Sequence, residues 1–131
     1  MYEEITEGVR IRVTPAYVPA ESAPADNRYF WAYTIEITNL SARTVKLINR
    51  YWRIVDATGN ENEVRGDGVV GKQPTLEPGE AFTYTSGCPL SAPSGMMGGH
   101  YGMIDVKGHL PFVAIVPTFA LDSPYTNRRA N

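Results

Sequence analysis

The chain has 131 residues, 43% of them hydrophobic and 20% charged, and a formal net charge of −2 at pH 7. These values are typical of one globular domain with its own core and exclude a disordered chain, so we expect a single domain over residues 1–131. The weak acidic balance gives no attraction to nucleic acid or to an anionic membrane, and neither is expected as a partner.

Apolar and polar side chains alternate along most of the chain, with the period of a β-strand that has one buried face. Val9, Ile11 and Val13 alternate with arginines, and the segment 29–37 repeats the pattern with aromatic residues. In chain order, strands are expected over 9–13, 29–37, 44–56, 81–87, 100–106 and 112–121.

Two of these strands carry an irregularity. Val45 and Leu47 share one parity, whereas Trp52 and Ile54 share the other. One extra residue reverses the facing of all that follow, so a β-bulge is predicted near Asn49. Pro117 predicts that the last strand lies at a sheet edge or is broken there.

The connectors carry turn chemistry, as at Gly59 and at the Pro78–Gly79 pair, and the longest is the proline-bearing segment 19–28. No segment has the pattern of an amphipathic helix. Seven or more short strands separated by turns predict an all-β sandwich of antiparallel strands with little or no helix. The tail from about residue 123 is expected to be frayed.

Residues 65–71 read RGDGVVG and contain the G-x-G-x-x-G spacing of dinucleotide-binding loops. Such a loop needs a helix after the glycines, whose N-terminus holds the pyrophosphate. Pro74 and Pro78 forbid that helix. We therefore expect a structural loop, in which the glycines supply unusual φ angles and Val69 and Val70 pack as a short apolar strand.

An anion site at the same loop remains an alternative. Successive amides of a glycine-rich turn can form an anion-binding nest, and two cations flank this one. The candidate site consists of Arg65, Gly66, Gly68, Gly71 and Lys72.

The sequence shows no catalytic or metal-binding constellation. Four residues could in principle take part in such a site: His100, expected at the start of a strand, His109 in a turn, Cys88 in a loop, and Asp105. They lack the spacing of metal ligands, and neither histidine is close in sequence to the cysteine. We expect no enzyme, metal or cofactor. The lone cysteine favours a reducing compartment, and the N-terminus has no signal-peptide stretch, so a cytoplasmic protein is predicted.

Beyond single motifs, the chain resembles the ApaG family. The resemblance rests on three stretches: 50–86 with its string GDGVVGKQPTLEPG, 95–103 (GMMGGHYGM), and 115–121 (IVPTFAL). It implies an immunoglobulin-like, fibronectin type III-like sandwich. The eukaryotic members, fused to F-box proteins and to a polymerase-delta-interacting protein, imply a protein-interaction module.

The resemblance also brings two associations for the bacterial members: gene neighbourhood with a diadenosine tetraphosphate hydrolase, and cobalt and magnesium resistance. Proposals of nucleotide or pyrophosphate binding in the family would map to Gly66, Gly68 and Gly71. We thus carry two hypotheses, a non-enzymatic module that binds an unidentified protein, and an anion-binding protein. Weak homodimerisation through an edge strand is also expected, because sandwiches leave sheet edges.

Overall fold

A computed structural model describes residues 1–126, which contain nine β-strands. The strands are β1 (Tyr2–Thr6), β2 (Val9–Tyr17), β3 (Tyr29–Asn39), β4 (Val45–Asp56), β5 (Glu61–Asp67), β6 (Thr75–Leu76), β7 (Ala81–Leu90), β8 (Gly95–Asp105) and β9 (Leu110–Leu121). Two one-turn 3-10 helices, Pro19–Glu21 and Pro24–Asp26, lie in the long connector. In this part of the chain, no helix is long and apolar enough to cross a membrane.

The strands form two antiparallel sheets. The first sheet has the order β1-β2-β3-β7, and the second has the order β5-β4-β8-β9, with β6 also paired to β4. The predicted all-β sandwich is confirmed. Alternation did not reveal β1, β5 or β6. β1 and β5 are polar and acidic and face solvent over most of their length, and β6 has only two residues.

The predicted facing of the strands is confirmed where one face is apolar. Val9, Ile11 and Val13 of β2 are fully buried, and β3 buries every second side chain from Tyr29 to Ile37. These residues face the second sheet, where Trp52 is central. Its ring packs edge-on against Tyr33 at 5.6 Å between centroids.

Both predicted irregularities are present. In the pairing of β4 with β8, Leu47 lies opposite Met103 and Asn49 opposite Gly102, which leaves Ile48 as the extra residue of a bulge. β9 is an edge strand. Its pairing with β8 slips at Pro117, because two residues there face one residue of β8.

The segment expected to be frayed is in contact with the domain over its described part. Ser123 is buried and its hydroxyl donates to the Pro93 carbonyl at 2.7 Å, while the Tyr125 ring lies 6.2 Å from that of Tyr29. Residues 127–131 lie outside the described residues.

Asp56 fixes the turn between β4 and β5. Its Oδ1 accepts hydrogen bonds from the Thr58 hydroxyl at 2.6 Å, the Thr58 amide at 2.8 Å and the Asn60 amide at 3.1 Å. These bonds favour the charged carboxylate, with the Thr58 hydroxyl contributing most, and they lower the pKa of Asp56 from its ordinary value of 3.8.

We predict that Asp56→Ala lowers the free energy of unfolding at pH 7 by about 1.5–3 kcal/mol, the net range of hydrogen bonds to a charged group. A lowered native pKa stabilises the fold above the ordinary aspartate pKa, and this stabilisation is lost as the pH falls from 3.8 through the native value. Urea denaturation at several pH values should therefore show the two proteins converging in acid. The exposed Asp122, replaced by Ala, is the control, and a gap that stays constant with pH would contradict the assignment.

Candidate functional site

The glycine loop, Gly66–Lys72, is a hairpin turn at the end of β5. Val69 and Lys72 exchange two backbone hydrogen bonds of 2.8 Å and enclose Val70 and Gly71. φ is positive at both central residues, 43° and 78°, as in a type I′ turn. Gly68 also has a positive φ, 62°, whereas Gly66 continues β5 opposite Arg50. Gly68 and Gly71 thus have the backbone role that we expected of them.

We expected both Val69 and Val70 to be packed in a short apolar strand, and this is wrong for Val70. Val69 is buried in the core, but Val70 is 53% exposed. The two residues belong to a turn, not to a short apolar strand. Val70 occupies the first central position of this turn, with a positive φ that β-branched residues rarely adopt.

Three of the loop amides already have partners within the protein. The Gly68 amide donates to the Ile48 carbonyl at 2.8 Å, and the amides of Val69 and Lys72 close the turn. An anion-binding nest needs amides that are free to point at the ligand. These three hold the loop in place instead.

The two flanking cations do not point to a common centre. The Arg65 guanidinium lies over the Tyr51 ring at 4.7 Å and 3.9 Å from the Glu63 carboxylate. Its charge is therefore directed to the outer face of the second sheet and away from the turn. Lys72 is an exposed member of the turn.

Arg50, which the sequence reasoning did not select, is the cation that holds the loop. Its Nη1 donates to the carbonyls of Asp67 at 3.0 Å and Gly68 at 2.9 Å. The ion pairs found in residues 1–126 do not include Arg50. The inward direction of Arg50 could have been predicted from the parity change near Asn49. A bulge there gives Arg50 the same facing as the core residue Trp52.

A cleft of about 190 Å³ lies behind the loop, between the two sheets. It is lined by Tyr33, Arg50, Trp52, Val69, Val70, Gly71, Tyr84 and Ser86. The Tyr84 and Tyr101 hydroxyls meet at 2.5 Å. Burial raises the pKa of both phenols well above the ordinary value of 10, so they are neutral at physiological pH. The cleft therefore contains one cation and uncharged hydroxyls.

The outer face of the second sheet has three depressions, of about 220, 410 and 440 Å³. Tyr51 and His100 stack at 5.0 Å between ring centroids near the middle of this face. Apolar side chains flank the stack, with Met96 51%, Val113 42% and Ile115 41% exposed. The face is thus concave in places, aromatic at its centre and apolar around it.

The cysteine and histidine placements need correction. Cys88 lies within β7, not in a loop, and burial raises the pKa of its thiol to about 11. His100 lies in the middle of β8, not at a strand start, while His109 does lie in a turn. Within the described ranges, no three His, Cys, Asp or Glu residues are placed to hold a metal ion.

We predict that Gly68→Ala destabilises the fold more than Gly71→Ala. Both positions have positive φ, but a Cβ on Gly68 would clash with the Lys72 carbonyl oxygen, whereas nothing lies within 4 Å of one on Gly71. Backbone strain alone costs about 1–2 kcal/mol, and only Gly68→Ala adds the clash. Thermal unfolding should show a loss of several degrees for Gly71→Ala and a larger loss for Gly68→Ala. Equal melting points for the two variants would contradict this account.

Comparison with known sequences gives the ApaG family. The family model for the ApaG domain matches residues 19–105. The ApaG protein of Methylorubrum populi is 53% identical over 128 residues, covering 98% of each chain. That of Beijerinckia indica subsp. indica is 50% identical over the full length of both.

Solved structures agree with the sequence relatives. The crystal structure of the putative ApaA protein from Bordetella pertussis superposes with a TM-score of 0.86 at 45% identity, covering 90% of this chain and 95% of that one. The C-terminal domain of wzt shares the fold at a TM-score of 0.54, covering 92% of this chain and 76% of that chain, but only 10% of the sequence. With the domain model and full-length relatives in agreement, the chain is a member of the ApaG family.

Proposed function

We propose that this chain is a non-enzymatic binding module that docks a protein partner on the outer face of its second sheet. The observation that carries the proposal is the contrast between the two outer faces of the sandwich. The resemblance to interaction modules in eukaryotes supports the same class of function. The buried, unpaired Cys88 supports a cytoplasmic location for the module.

The outer face of the first sheet has the character of a solvated surface. Arg12 pairs with Glu3 at 2.7 Å and with Glu36 at 3.7 Å, and Arg10 also pairs with Glu36. Burying these charged groups against a partner would cost desolvation free energy.

The outer face of the second sheet differs in composition and in shape. Met96, Val113 and Ile115 expose apolar area beside the Tyr51–His100 stack. Contiguous apolar patches with a polar rim mark interaction sites on proteins, and aromatic and arginine side chains are enriched at their centres. Arg53, paired with Glu61 at 2.7 Å, lies in that rim.

Glycines of β8 create the relief of this face. A Cβ on Gly102 would clash with the Asn49 side chain, and one on Gly98 would lie 2.7 Å from the Thr118 hydroxyl. The side chains of Asn49 and Thr118 therefore lie over these two glycines of β8. Because the glycines have no side chains of their own, depressions remain on either side of His100. A partner can insert side chains into these depressions.

We predict that Val113→Glu and Met96→Glu each reduce capture of the partner by at least tenfold, because each introduces a charge into the apolar area. Immobilised wild type and variants are compared in pull-downs from native lysate with quantitative mass spectrometry. Thr34→Glu, which adds the same charge to the outer face of the first sheet, is the matched control and should retain the partner. The proposal fails if the Thr34 variant alone loses the partner, or if the protein captures none and turns over a polyphosphate.

Small-anion binding is a second candidate, favoured by the uncompensated Arg50. Its guanidinium borders the cleft beside the hydroxyls of Tyr33 and Ser86, and the three engaged loop amides make this cleft a better anion site than the amides of the turn. At about 190 Å³ the cleft suits pyrophosphate or the end of a polyphosphate chain and is too small for a whole dinucleoside polyphosphate.

We predict that, if this second function holds, millimolar pyrophosphate raises the Tm of the wild type and of Arg65→Gln but not of Arg50→Gln. Arg65 is the matched control because it carries the same charge outside the cleft. Calorimetric titration, with and without Mg²⁺ or Co²⁺, provides the direct reading. A flat titration of the wild type eliminates anion binding and leaves the protein-binding proposal untouched.

A further inference from the structure

β7 ends the first sheet and exposes a long edge without charge. Its sequence, AFTYTSGCPL, contains no Asp, Glu, Lys or Arg, and its other side pairs with β3 along its length. Unpaired strand edges are templates for further pairing, and proteins usually protect them with charges, prolines, bulges or covering segments.

The other three sheet edges have such protection. β1 is short and carries Glu3 and Glu4, and β5 carries four charged residues in seven. β9 is interrupted at Pro117, and its amides at Ile115 and Ala120 donate to side-chain oxygens of β1 at 3.2 Å. β7 is therefore the exception among the four edges.

The hydrogen-bond pattern shows which backbone groups of β7 point outward. On one side of β3, the Asn39 amide donates to the Glu80 carbonyl. On its opposite side, the Phe30 carbonyl accepts a hydrogen bond from the Val18 amide. Odd residues of β3 therefore bond to even residues of β7, since the two sides of an antiparallel strand alternate. The amides and carbonyls of Ala81, Thr83, Thr85 and Gly87 are directed to the free edge, which Pro89 ends because it has no amide.

We propose that a second copy of this chain pairs with this edge, β7 against β7, antiparallel about a two-fold axis at Thr85. Thr85 is the midpoint between Ala81 and Pro89, so this register pairs the outward groups of Thr83, Thr85 and Gly87 and forms about six backbone hydrogen bonds. Two four-stranded sheets would join into one of eight strands.

The side chains of β7 are compatible with pairing between two copies of the strand. Thr85 would face Thr85 of the partner subunit, a favourable cross-strand pair, and Thr83 would face the small Gly87 of the partner subunit. Because β7 has no charged residue, this pairing places no like charges opposite each other. The surface lies on the first sheet and is separate from the docking face proposed above.

One strand edge buries a small area, so the dimer should be weak and form only at high protein concentration. Sedimentation equilibrium of the wild type over ~10 µM to 1 mM should show a monomer–dimer equilibrium. Wild type that stays monomeric at ~1 mM would overturn the proposal.

Thr85→Lys should weaken the dimer by at least tenfold, because two lysines would meet on the axis. Thr34→Lys is the matched control: Thr34 lies opposite Thr85 on β3, their hydroxyls are 2.9 Å apart, and both variants break that bond. Only the Thr85 variant places charge at the edge. Equal dissociation by both would assign the contact to the sheet face and overturn the edge pairing.

A mixture of Thr85→Lys and Thr85→Glu should restore the dimer, because opposite charges then meet.

If the Thr85 variants fail to fold, amide hydrogen exchange of the wild type still tests the edge pairing. The amides of Thr83, Thr85 and Gly87 should exchange several-fold more slowly at high protein concentration, whereas concentration-independent exchange would refute the pairing. Val113→Glu should leave self-association unchanged, so failure of the docking proposal and failure of this one are distinguishable.

Discussion

The bulge at Ile48 is the constraint on which the rest of the second sheet depends. The extra residue reverses the facing of β4, so that Leu47 before it and Trp52 after it both enter the core. The same reversal turns Tyr51 outward, onto His100, and places Arg50 at the mouth of the cleft. Without the extra residue, β4 could bury one of its halves but not both.

The bulge also determines where the glycine loop rests. The carbonyl of Ile48, the extra residue of the bulge, lies on the β5 side of β4 and accepts hydrogen bonds from the Gly68 amide and from the Gln73 side chain, both at 2.8 Å. Arg50, two residues on, holds the carbonyls of Asp67 and Gly68. Bulge and loop thus form one unit, in which the donors of each segment satisfy the acceptors of the other.

Much of the fold could be predicted from the sequence, because burial on one face imposes a period of two. β2, β3 and the bulged β4 were found in this way, and Pro117 indicated the edge position of β9. β1 and β5 were missed because strands exposed along most of their length carry no apolar alternation. The candidate site was less predictable. Arg65 lies over Tyr51, whereas Arg50 contacts the loop, and these directions depend on parity and on contacts with distant strands.

The glycines show why a short motif says little without its surroundings. Gly68 and Gly71 provide positive φ, whereas Gly102 provides space for the Asn49 side chain, and Gly87 lies beneath the Phe30 ring. A dinucleotide-binding loop presents free amides at a helix N-terminus, but here a hairpin and a bulge use them. The chemical meaning of G-x-G-x-x-G therefore follows from where its amides donate, and in this chain those of Gly68 and Val69 donate to its own backbone.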